Sequence, residues 1–242
     1  MEIVAVIPAR YGSSRLPGKP LCDLGGKPVI QHVYERAMSA GRISRVMVAT
    51  DDERIAQAVR SFGGEAVMTS PDHPNGTCRV AEAIKGVSCD GVVNVQGDEP
   101  FMDPALVDQV ALCLFENPEI PMVSLRYPLA EEEIDNPNRV KVVVDQADRA
   151  LYFSRSPIPY RRVPGATVYG HLGIYGYKRT FLDRYISLDA TPLSESESLE
   201  QLRAIEHGYD IMVPVARGRH APGIDTDLDL LWARKELEKE IS

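Results

Sequence analysis

The 242-residue sequence predicts an α/β fold built on a mainly parallel central sheet. Through the first hundred residues short apolar runs alternate with helical patterns, as expected where crossover helices join parallel strands. The runs at 3–8 and 91–96 are apolar on both faces, which suits strands covered by helices on two sides. Hydrophobic residues make up 44% of the chain, and this length is consistent with one domain carrying an excursion.

The elements of the first half follow in a regular order. Apolar residues recur at three- and four-residue spacing from Val29 to Met38, with Pro28 expected in the first helical turn and Gly41 at the end. The predicted strands cover 3–8, 45–50, 65–68 and 91–96, and the other predicted helices cover 51–64 and 78–86.

From about residue 120 the pattern changes to β segments separated by proline-rich turns, at 139–145, 150–165 and 171–178. We interpret the segment of roughly 120–178 as a β-rich insertion or arm. One helix is then predicted over 194–208, with Ser194 and Glu197 as a capping box and Gly208 as its end. A strand at 211–216 and a last amphipathic helix complete the chain.

Charge and cysteine content exclude several classes of protein. The formal net charge of −8 argues against a general nucleic-acid binder, which needs a basic face. The four cysteines are irregularly spaced and contain no C-x-x-C pair, so they predict neither a zinc ribbon nor a disulfide framework. No signal peptide and no run of about 18 apolar residues is evident, and we expect a soluble cytoplasmic protein.

The stretch RYGSSRLPGK at 10–19 holds three cations and no acid. It is not a Walker A loop, because five residues separate Gly12 from Gly18 and Pro20 replaces the metal-binding hydroxyl. It is not a dinucleotide fingerprint either, since the chain contains no G-x-G. A loop that leaves a parallel strand can still turn its backbone N–H groups onto phosphate. The stretch therefore predicts a site for a small anion.

Two aspartates are candidates for a metal site. Asp98 directly follows the apolar strand at 91–96, at the end where open α/β sheets bind ligands. Asp225 lies far away in sequence, but two hard oxygen ligands from separate segments suit Mg²⁺, which also takes water and phosphate. Helix capping is the alternative for Asp225, and Asp227 and Asp229 are interpreted as capping or solvated acids.

Nine strings, in order along nearly the whole chain, resemble the 3-deoxy-manno-octulosonate (Kdo) cytidylyltransferase family, the CMP-Kdo synthetases. They are IPARYGSSRLPGKPL, VATDDERI, MTSPDHPNGT, VNVQGDEP, NPNRVKVV, ALYFSRSPIP, HLGIYGY, ESLEQLR and IDT. The resemblance implies a single domain over 1–242 of the nucleotide-diphospho-sugar transferase type, with the arm at 120–178 used for homodimer contact. It also implies Mg²⁺-dependent transfer of CMP from CTP to Kdo, with release of pyrophosphate.

The resemblance also implies roles for individual residues. Asp98 and Asp225 would hold the metal and would be catalytic together with Arg15 and Lys19. The nucleotide-binding set would be Ala9, Arg10, Ser13, Ser14, Arg15, Lys19, Gly76 and Arg79. The residues for the eight-carbon acid sugar would be Gln96, Arg155, His171, Tyr175, Glu200 and Gln201. Ordinary packing is the alternative for His171 and Tyr175, and a structural pairing is the alternative for Arg155.

One position departs from the family. Its loop usually reads G-T-D-R, whereas this chain has Cys78 between Thr77 and Arg79. If the position only supports the following helix, Thr77 can take over the capping; otherwise a nucleotide or sugar contact is altered. The alternative substrates are an 8-amino-Kdo or a sialic-type acid. A non-catalytic nucleotide sensor and a D-x-D glycosyltransferase, after Asp225-Thr226-Asp227, are the alternative functions.

Overall fold

The computed structural model describes residues 1–13, 15–163 and 165–241, with Ile241 described by its backbone alone. The strands are β1 Ile3–Ala9, β2 Asp23–Leu24, β3 Lys27–Pro28, β4 Arg45–Thr50, β5 Ala66–Met68, β6 Gly91–Asn94, β7 Met122–Pro128, β8 Lys141–Val144, β9 Ala150–Ser154, β10 Tyr169–Lys178 and β11 Ile211–Met212. The helices are α1 Val29–Met38, α2 Glu53–Ser61, α3 Gly76–Ala83, α4 Pro104–Glu116, α5 Arg179–Tyr185, α6 Pro192–Glu197, α7 Leu202–Glu206 and α8 Asp227–Ile241.

The central sheet has the strand order β11-β7-β10-β6-β1-β4-β5 over the described residues. β1 pairs in parallel with both β4 and β6, and β4 pairs in parallel with β5. β10 runs antiparallel between β6 and β7, so those two neighbours share one direction. The prediction of an α/β fold with a mainly parallel sheet is confirmed.

Both faces of the central strands are covered, as their two-sided apolar sequence predicts. Ile3, Ala5 and Ile7 face the core that α1 and α4 close, whereas Val4 and Val6 face the core that α3 and α5 close. Because the helices cover the two faces of the sheet, the connecting loops are what surrounds the carboxyl ends of β1, β4 and β6. That edge is where the functional residues can gather.

Helix α4 was not anticipated from the sequence. Asp103 caps it by accepting a hydrogen bond from the backbone N–H of Ala105 at 2.9 Å, and Pro104 occupies its first turn. This Asp-Pro start is a standard helix signal. The helix is apolar on most of its circumference, which weakens the 3.6-residue period that a sequence analysis depends on.

The single helix predicted over 194–208 is wrong, because the structure divides it into α6 and α7. Ser198 between them has φ 50°, which a continuing helix does not tolerate. The capping box consists of Thr191 and Ser194 rather than Ser194 and Glu197. The Glu197 carboxylate is instead hydrogen-bonded to the end of β9 and the residue after it. It accepts from the Ser154 hydroxyl at 2.6 Å and from the Arg155 backbone N–H at 2.9 Å.

Two smaller boundaries also differ from prediction. Pro28 is the extended residue before α1 (ψ 148°) rather than part of its first turn. The last strand, predicted over 211–216, ends at Met212. Pro214 lacks the N–H that a continued ladder needs, although Val215 still forms an isolated bridge to Arg126.

The segment 120–178 supplies two strands of the central sheet and also a peripheral hairpin. β7 and β10 lie within the central sheet, while β8 and β9 pair with each other and attach to β10. Dimer contact through this segment stays a prediction. Among the described residues, no helix combines the length and the apolar character needed to cross a membrane.

Candidate active site

A cleft of about 430 Å³ opens at the carboxyl ends of β1 and β6. It brings together residues that the sequence analysis took from four separate segments. Those lining it are Ala9, Arg10, Ser13, Arg15, Lys19, Gly76, Arg79, Gln96, Asp98 and Asp225. Ser14, which was also predicted to bind nucleotide, lies outside the described residues.

The loop after β1 is folded back by its own backbone. The Tyr11 carbonyl accepts from the N–H groups of Ser13 at 3.0 Å and Gly18 at 2.9 Å. Gly18 has φ 71°, and a Cβ added there would lie 3.0 Å from the Tyr11 ring, so only glycine fits this turn. A short 3₁₀ turn over Lys19–Leu21 follows and places Lys19 on the cleft wall.

Two of the three loop cations are paired with the two candidate metal ligands. Lys19 Nζ donates to Asp98 Oδ2 at 2.6 Å and to Asp225 Oδ1 at 3.1 Å. Arg15 lies 3.0 Å from Asp225 Oδ2. Burial opposes the charge of the Lys19 ammonium, but the two carboxylates overcome it and raise the pKa of Lys19. The loop itself contains no acid, and the fold supplies two from elsewhere.

The two carboxylates are suited to Mg²⁺. Both reach the same ammonium, so one cation can contact both. Carboxylate oxygen is the donor that Mg²⁺ prefers, and this ion usually takes one or two carboxylates with water and substrate phosphate. Within the described residues no cluster of three or more His, Cys, Asp or Glu could complete a metal site. The remaining ligands would therefore come from substrate and water.

Helix capping does not explain Asp225. Thr226 caps the start of α8 by accepting the Asp229 N–H at 3.2 Å, and Asp229 completes a capping box because its Oδ2 accepts from the backbone N–H of Asp225 at 3.0 Å and of Thr226 at 2.8 Å. Burial opposes the Asp229 charge, but the hydrogen bonds from Thr226 and Asp225 hold the pKa of Asp229 below its ordinary value. The Asp225 carboxylate does not cap the helix and instead pairs with Arg15 and Lys19 in the cleft.

The start of α3 forms the opposite wall of the cleft. Arg79 is 4% exposed and donates to the Thr69 hydroxyl at 2.6 Å and to Asp51 at 3.0 Å, which fixes its guanidinium. Asn75 caps α3 by accepting from the Cys78 backbone at 2.9 Å. The expectation that Thr77 takes over the capping is wrong.

The Thr77 hydroxyl instead donates to Glu200 Oε1 at 2.6 Å. Cys78 replaces the usual acid without leaving the helix uncapped, and burial raises the pKa of its thiol. The start of α3 is thus tied to the segment before α7, which carries two of the predicted sugar residues.

His73 lines the cleft but was not among the predicted site residues. Its ring pairs with Glu82, which also accepts from the Ser70 backbone at 3.0 Å. The backbone of Ser70 and then His73 lower the pKa of Glu82. Sequence spacing offered no signal for this role, because no second histidine lies at ligand spacing.

The residues predicted to bind the acid sugar divide into three groups. Gln96 lines the cleft beside Asp98. Tyr175 lies 3.5 Å from Gln201 through its hydroxyl, and its ring lies 5.4 Å from that of His171. Arg155 is used structurally, since its guanidinium donates to the carbonyls of Glu197 at 2.8 Å, Pro137 at 3.1 Å and Ser198 at 3.3 Å.

Several buried polar atoms near Tyr175 and Thr77 have no hydrogen-bond partner among the described residues. They are Asn94 Oδ1, Tyr177 Oη, Glu200 Oε2 and Gln201 Nε2. Burial raises the pKa of Glu200, against the opposing bond from Thr77. The sequence signal for Asn94 was a polar residue inside an apolar strand, where an unpaired amide is costly unless a ligand or water satisfies it.

A second cavity of about 250 Å³ lies beyond Asp98. It is lined in part by Glu99, Tyr127, His171 and His220, with the His220 and Tyr127 ring centroids 4.0 Å apart. Burial, with a smaller contribution from Asp98, raises the pKa of Glu99 to about 8. Burial lowers the pKa of His171 to about 3, so its ring is neutral at physiological pH. The cavity thus combines two groups whose pKa shifts favour their neutral forms, Glu99 and His171, with the ion pair of Glu133 and Arg139.

Comparisons with known proteins identify the family of the chain. The Cytidylyltransferase family model matches residues 4–211. A 3-deoxy-manno-octulosonate cytidylyltransferase of Idiomarina loihiensis is 49% identical, with 97% of this chain and 98% of that protein covered. An 8-amino-3,8-dideoxy-manno-octulosonate cytidylyltransferase of Shewanella sediminis is 47% identical, with coverage of 95% and 96%.

One solved structure, of a CMP:2-keto-3-deoxy-manno-octonic acid synthetase complexed with CTP, is 46% identical to this chain. The two superpose with a TM-score of 0.96 over 99% of this chain and 100% of the other. By sequence and by fold, the chain belongs to the 3-deoxy-manno-octulosonate cytidylyltransferase family.

Proposed function

We propose that this chain transfers CMP from CTP to the anomeric hydroxyl of Kdo and releases pyrophosphate, as a step of lipopolysaccharide synthesis. The observation that carries the proposal is the meeting of the cationic loop with Asp98 and Asp225 in one cleft. Nucleotidyl transfer needs these parts at one point, because the triphosphate charge is neutralised while the attacking hydroxyl is held in line.

The loop cations bind the triphosphate. Arg10 lines the cleft, and no bond of its side chain to another described residue competes with phosphate. Arg15 and Lys19 form charge-assisted bonds, which are about twice as strong as neutral ones. As pyrophosphate departs, these cations stabilise the charge that develops on it, and stabilisation that grows in the transition state raises turnover.

Asp98 and Asp225 would hold Mg²⁺. When bound, Mg²⁺ supplies charge stabilisation for both the attacking and the leaving oxygen. The carboxylates contribute by fixing the site at the carboxyl end of β6, next to Gln96. Tight fixation matters because a displacement of about 1 Å can cost a factor of about 100 in rate.

The acid sugar is assigned to the side of Gln96, Tyr175 and Gln201. Unpartnered atoms on Asn94, Glu200 and Gln201 support this assignment, because sugar hydroxyls can both donate and accept. The relative that acts on 8-amino-3,8-dideoxy-manno-octulosonate keeps an amino-substituted acid as the second candidate substrate.

A homodimer in the cytoplasm is part of the proposal. Three apolar side chains on or near the β8–β9 hairpin support dimer contact there. Leu151 is 59% exposed, Tyr160 90% and Val163 73%. Exposed apolar groups in one region are typical of an association surface.

The test is a pyrophosphate-release assay that crosses four nucleoside triphosphates with Kdo, its 8-amino derivative and a sialic-type acid. We expect release with CTP and an eight-carbon acid and little with the nine-carbon acid. CTP binding without turnover on any acid would indicate a nucleotide sensor. Consumption of a nucleotide sugar with release of a nucleoside diphosphate would indicate a D-x-D glycosyltransferase. Either result would overturn the proposal.

A further inference from the structure

The contacts of Lys19 conflict with its expected role. As a phosphate-binding residue it should be available to the triphosphate, yet its ammonium lies 2.6 Å from Asp98 and 3.1 Å from Asp225. Those are the two carboxylates that suit the metal. The ammonium occupies the place between the two carboxylates that a metal bound to both would take, and two cations cannot share that place, so the nucleotide-free arrangement differs from the working one.

The pairing is partly enclosed on the side of Lys19 and Asp98, whereas Asp225 is 44% exposed. The Lys19 side chain is 13% exposed and Asp98 is 29% exposed, so solvent screens their attraction less than it screens a surface pair. Arg15 adds a second positive charge at the outer oxygen of Asp225. A divalent cation that approaches these carboxylates meets the Lys19 charge at contact distance and is repelled by it, while the Arg15 charge, on a side chain that is 64% exposed, adds a weaker, solvent-screened repulsion.

From these contacts we propose that Lys19 holds Asp98 and Asp225 together in the nucleotide-free protein and makes divalent metal binding conditional on the triphosphate. Lys19 is then a positioning residue before nucleotide binds and a phosphate ligand afterwards. The inference rests on the proposed function, because it needs a nucleoside triphosphate as the ligand that draws Lys19 away.

The triphosphate would change two conditions at once. It offers the Lys19 ammonium anionic oxygens, which releases the carboxylates. It also brings further oxygen ligands to a site where no third His, Cys, Asp or Glu among the described residues joins the two aspartates. Both changes favour the metal, so metal and nucleotide bind with positive coupling, and each raises the affinity for the other by the same factor.

The test measures Mn²⁺ binding to the full chain by isothermal titration calorimetry, with no nucleotide and no sugar acid present. Wild-type protein is compared with Lys19→Met and Lys19→Gln. Lys27→Met is the matched control, because Lys27 forms an exposed pair with Glu35 away from the cleft. We expect both Lys19 variants to bind Mn²⁺ at least about tenfold more tightly than wild type, and Lys27→Met to be unchanged.

A double variant tests whether the gain in Mn²⁺ affinity arises at the two carboxylates. Adding Asp98→Asn to Lys19→Gln should abolish the increased Mn²⁺ affinity, since the metal then loses one of its two carboxylates. Equal or weaker Mn²⁺ binding by folded Lys19→Gln than by wild type would overturn the inference. This readout involves no turnover, so it fails separately from the pyrophosphate assay, which tests the proposed function on the wild-type protein.

Discussion

At the scale of single residues, two aspartates at the start of α8 have different partners. Asp229 accepts the backbone N–H groups of Asp225 and Thr226, which is the return bond of a capping box with Thr226 as the cap. Asp225 contacts Arg15 and Lys19, and its side chain is 44% exposed. One acid therefore stabilises the helix, whereas the other is a member of the cleft.

The first prediction separates these roles by stability. Asp229→Ala should lower the free energy of unfolding by about 1 kcal/mol, because the capping box with Thr226 loses its carboxylate. Asp225→Ala should change it by less than about 0.5 kcal/mol, because exposed ion pairs contribute little. Urea denaturation of the two variants, with exposed Asp227→Ala as the control, makes the comparison. Equal losses in Asp225→Ala and Asp229→Ala would show that both acids cap the helix.

The second prediction concerns Asp98. Asp98→Ala should reduce turnover by about 100-fold or more, because stabilisation of the transition-state charge is lost. Stabilisation of the protein by CTP against heat should largely survive, since the variant frees Lys19 for phosphate. Pyrophosphate release and thermal shift with CTP measure the two effects. Wild-type turnover in Asp98→Ala would exclude Asp98 from the mechanism.

At the scale of secondary-structure elements, the nucleotide side and the sugar side of the site are joined by one hydrogen bond. Thr77 in α3 is fully buried and donates to Glu200, just before α7. The Tyr185 hydroxyl of α5 donates to the Glu200 carbonyl at 2.7 Å, so three helical segments meet at this residue. The bond fixes the spacing between the base-side and sugar-side walls.

The third prediction tests that bond. Thr77→Val keeps the shape of the side chain but removes the donor, leaving a buried carboxyl group with one partner fewer. We expect a loss of about 1–3 kcal/mol in the free energy of unfolding. Thr77→Ser keeps the hydroxyl and should lose markedly less. If urea denaturation gives the same stability for Thr77→Val and Thr77→Ser, the hydrogen bond does not hold these elements together.

How well each element could be predicted depends on whether its signal is local. β1, β4, β5 and β6 carry short apolar runs, and this local pattern was enough to predict them, whereas the two-residue strands β2 and β3 have no such run and were not predicted. The split between α6 and α7 could not be predicted in this way, because the Glu197 carboxylate is occupied by β9, 43 residues away in sequence. The separation in sequence is greater still for the contacts of Lys19, since Asp98 and Asp225 lie 79 and 206 residues away along the chain.

The candidate site shows the same limit. The sequence predicted its cations and carboxylates, because loop composition and strand ends are local features. It did not predict that they pair with each other, or that Asn94 and His73 belong to the same region. These contacts arise only when the sheet brings separate segments to one edge.

At the scale of the whole molecule, two cores on opposite faces of the sheet leave a polar region at its carboxyl end. The molecule carries a formal charge of −8, yet Arg10, Arg15 and Lys19 gather in the cleft. On the neighbouring side His171 lines the second cavity, partly buried, with its Nε2 2.8 Å from the Ser124 hydroxyl. Burial of a neutral imidazole links the global stability to pH.

The fourth prediction follows from that burial, which lowers the pKa of His171 from 6.5 to about 3. Between these values the unfolded chain binds a proton that the folded chain does not, so the free energy of unfolding falls as pH falls from 6.5 towards 3. From pH 7 to pH 5 the loss from this one group is about 2 kcal/mol. His171→Gln, which cannot titrate, should lose about 2 kcal/mol less than wild type over the same interval. Other groups titrate alike in both proteins, so the difference between their urea denaturation curves at the two pH values isolates His171. Parallel losses in the two proteins would contradict the prediction, because they would mean that the His171 ring takes up its proton at the same pH in the folded and the unfolded chain.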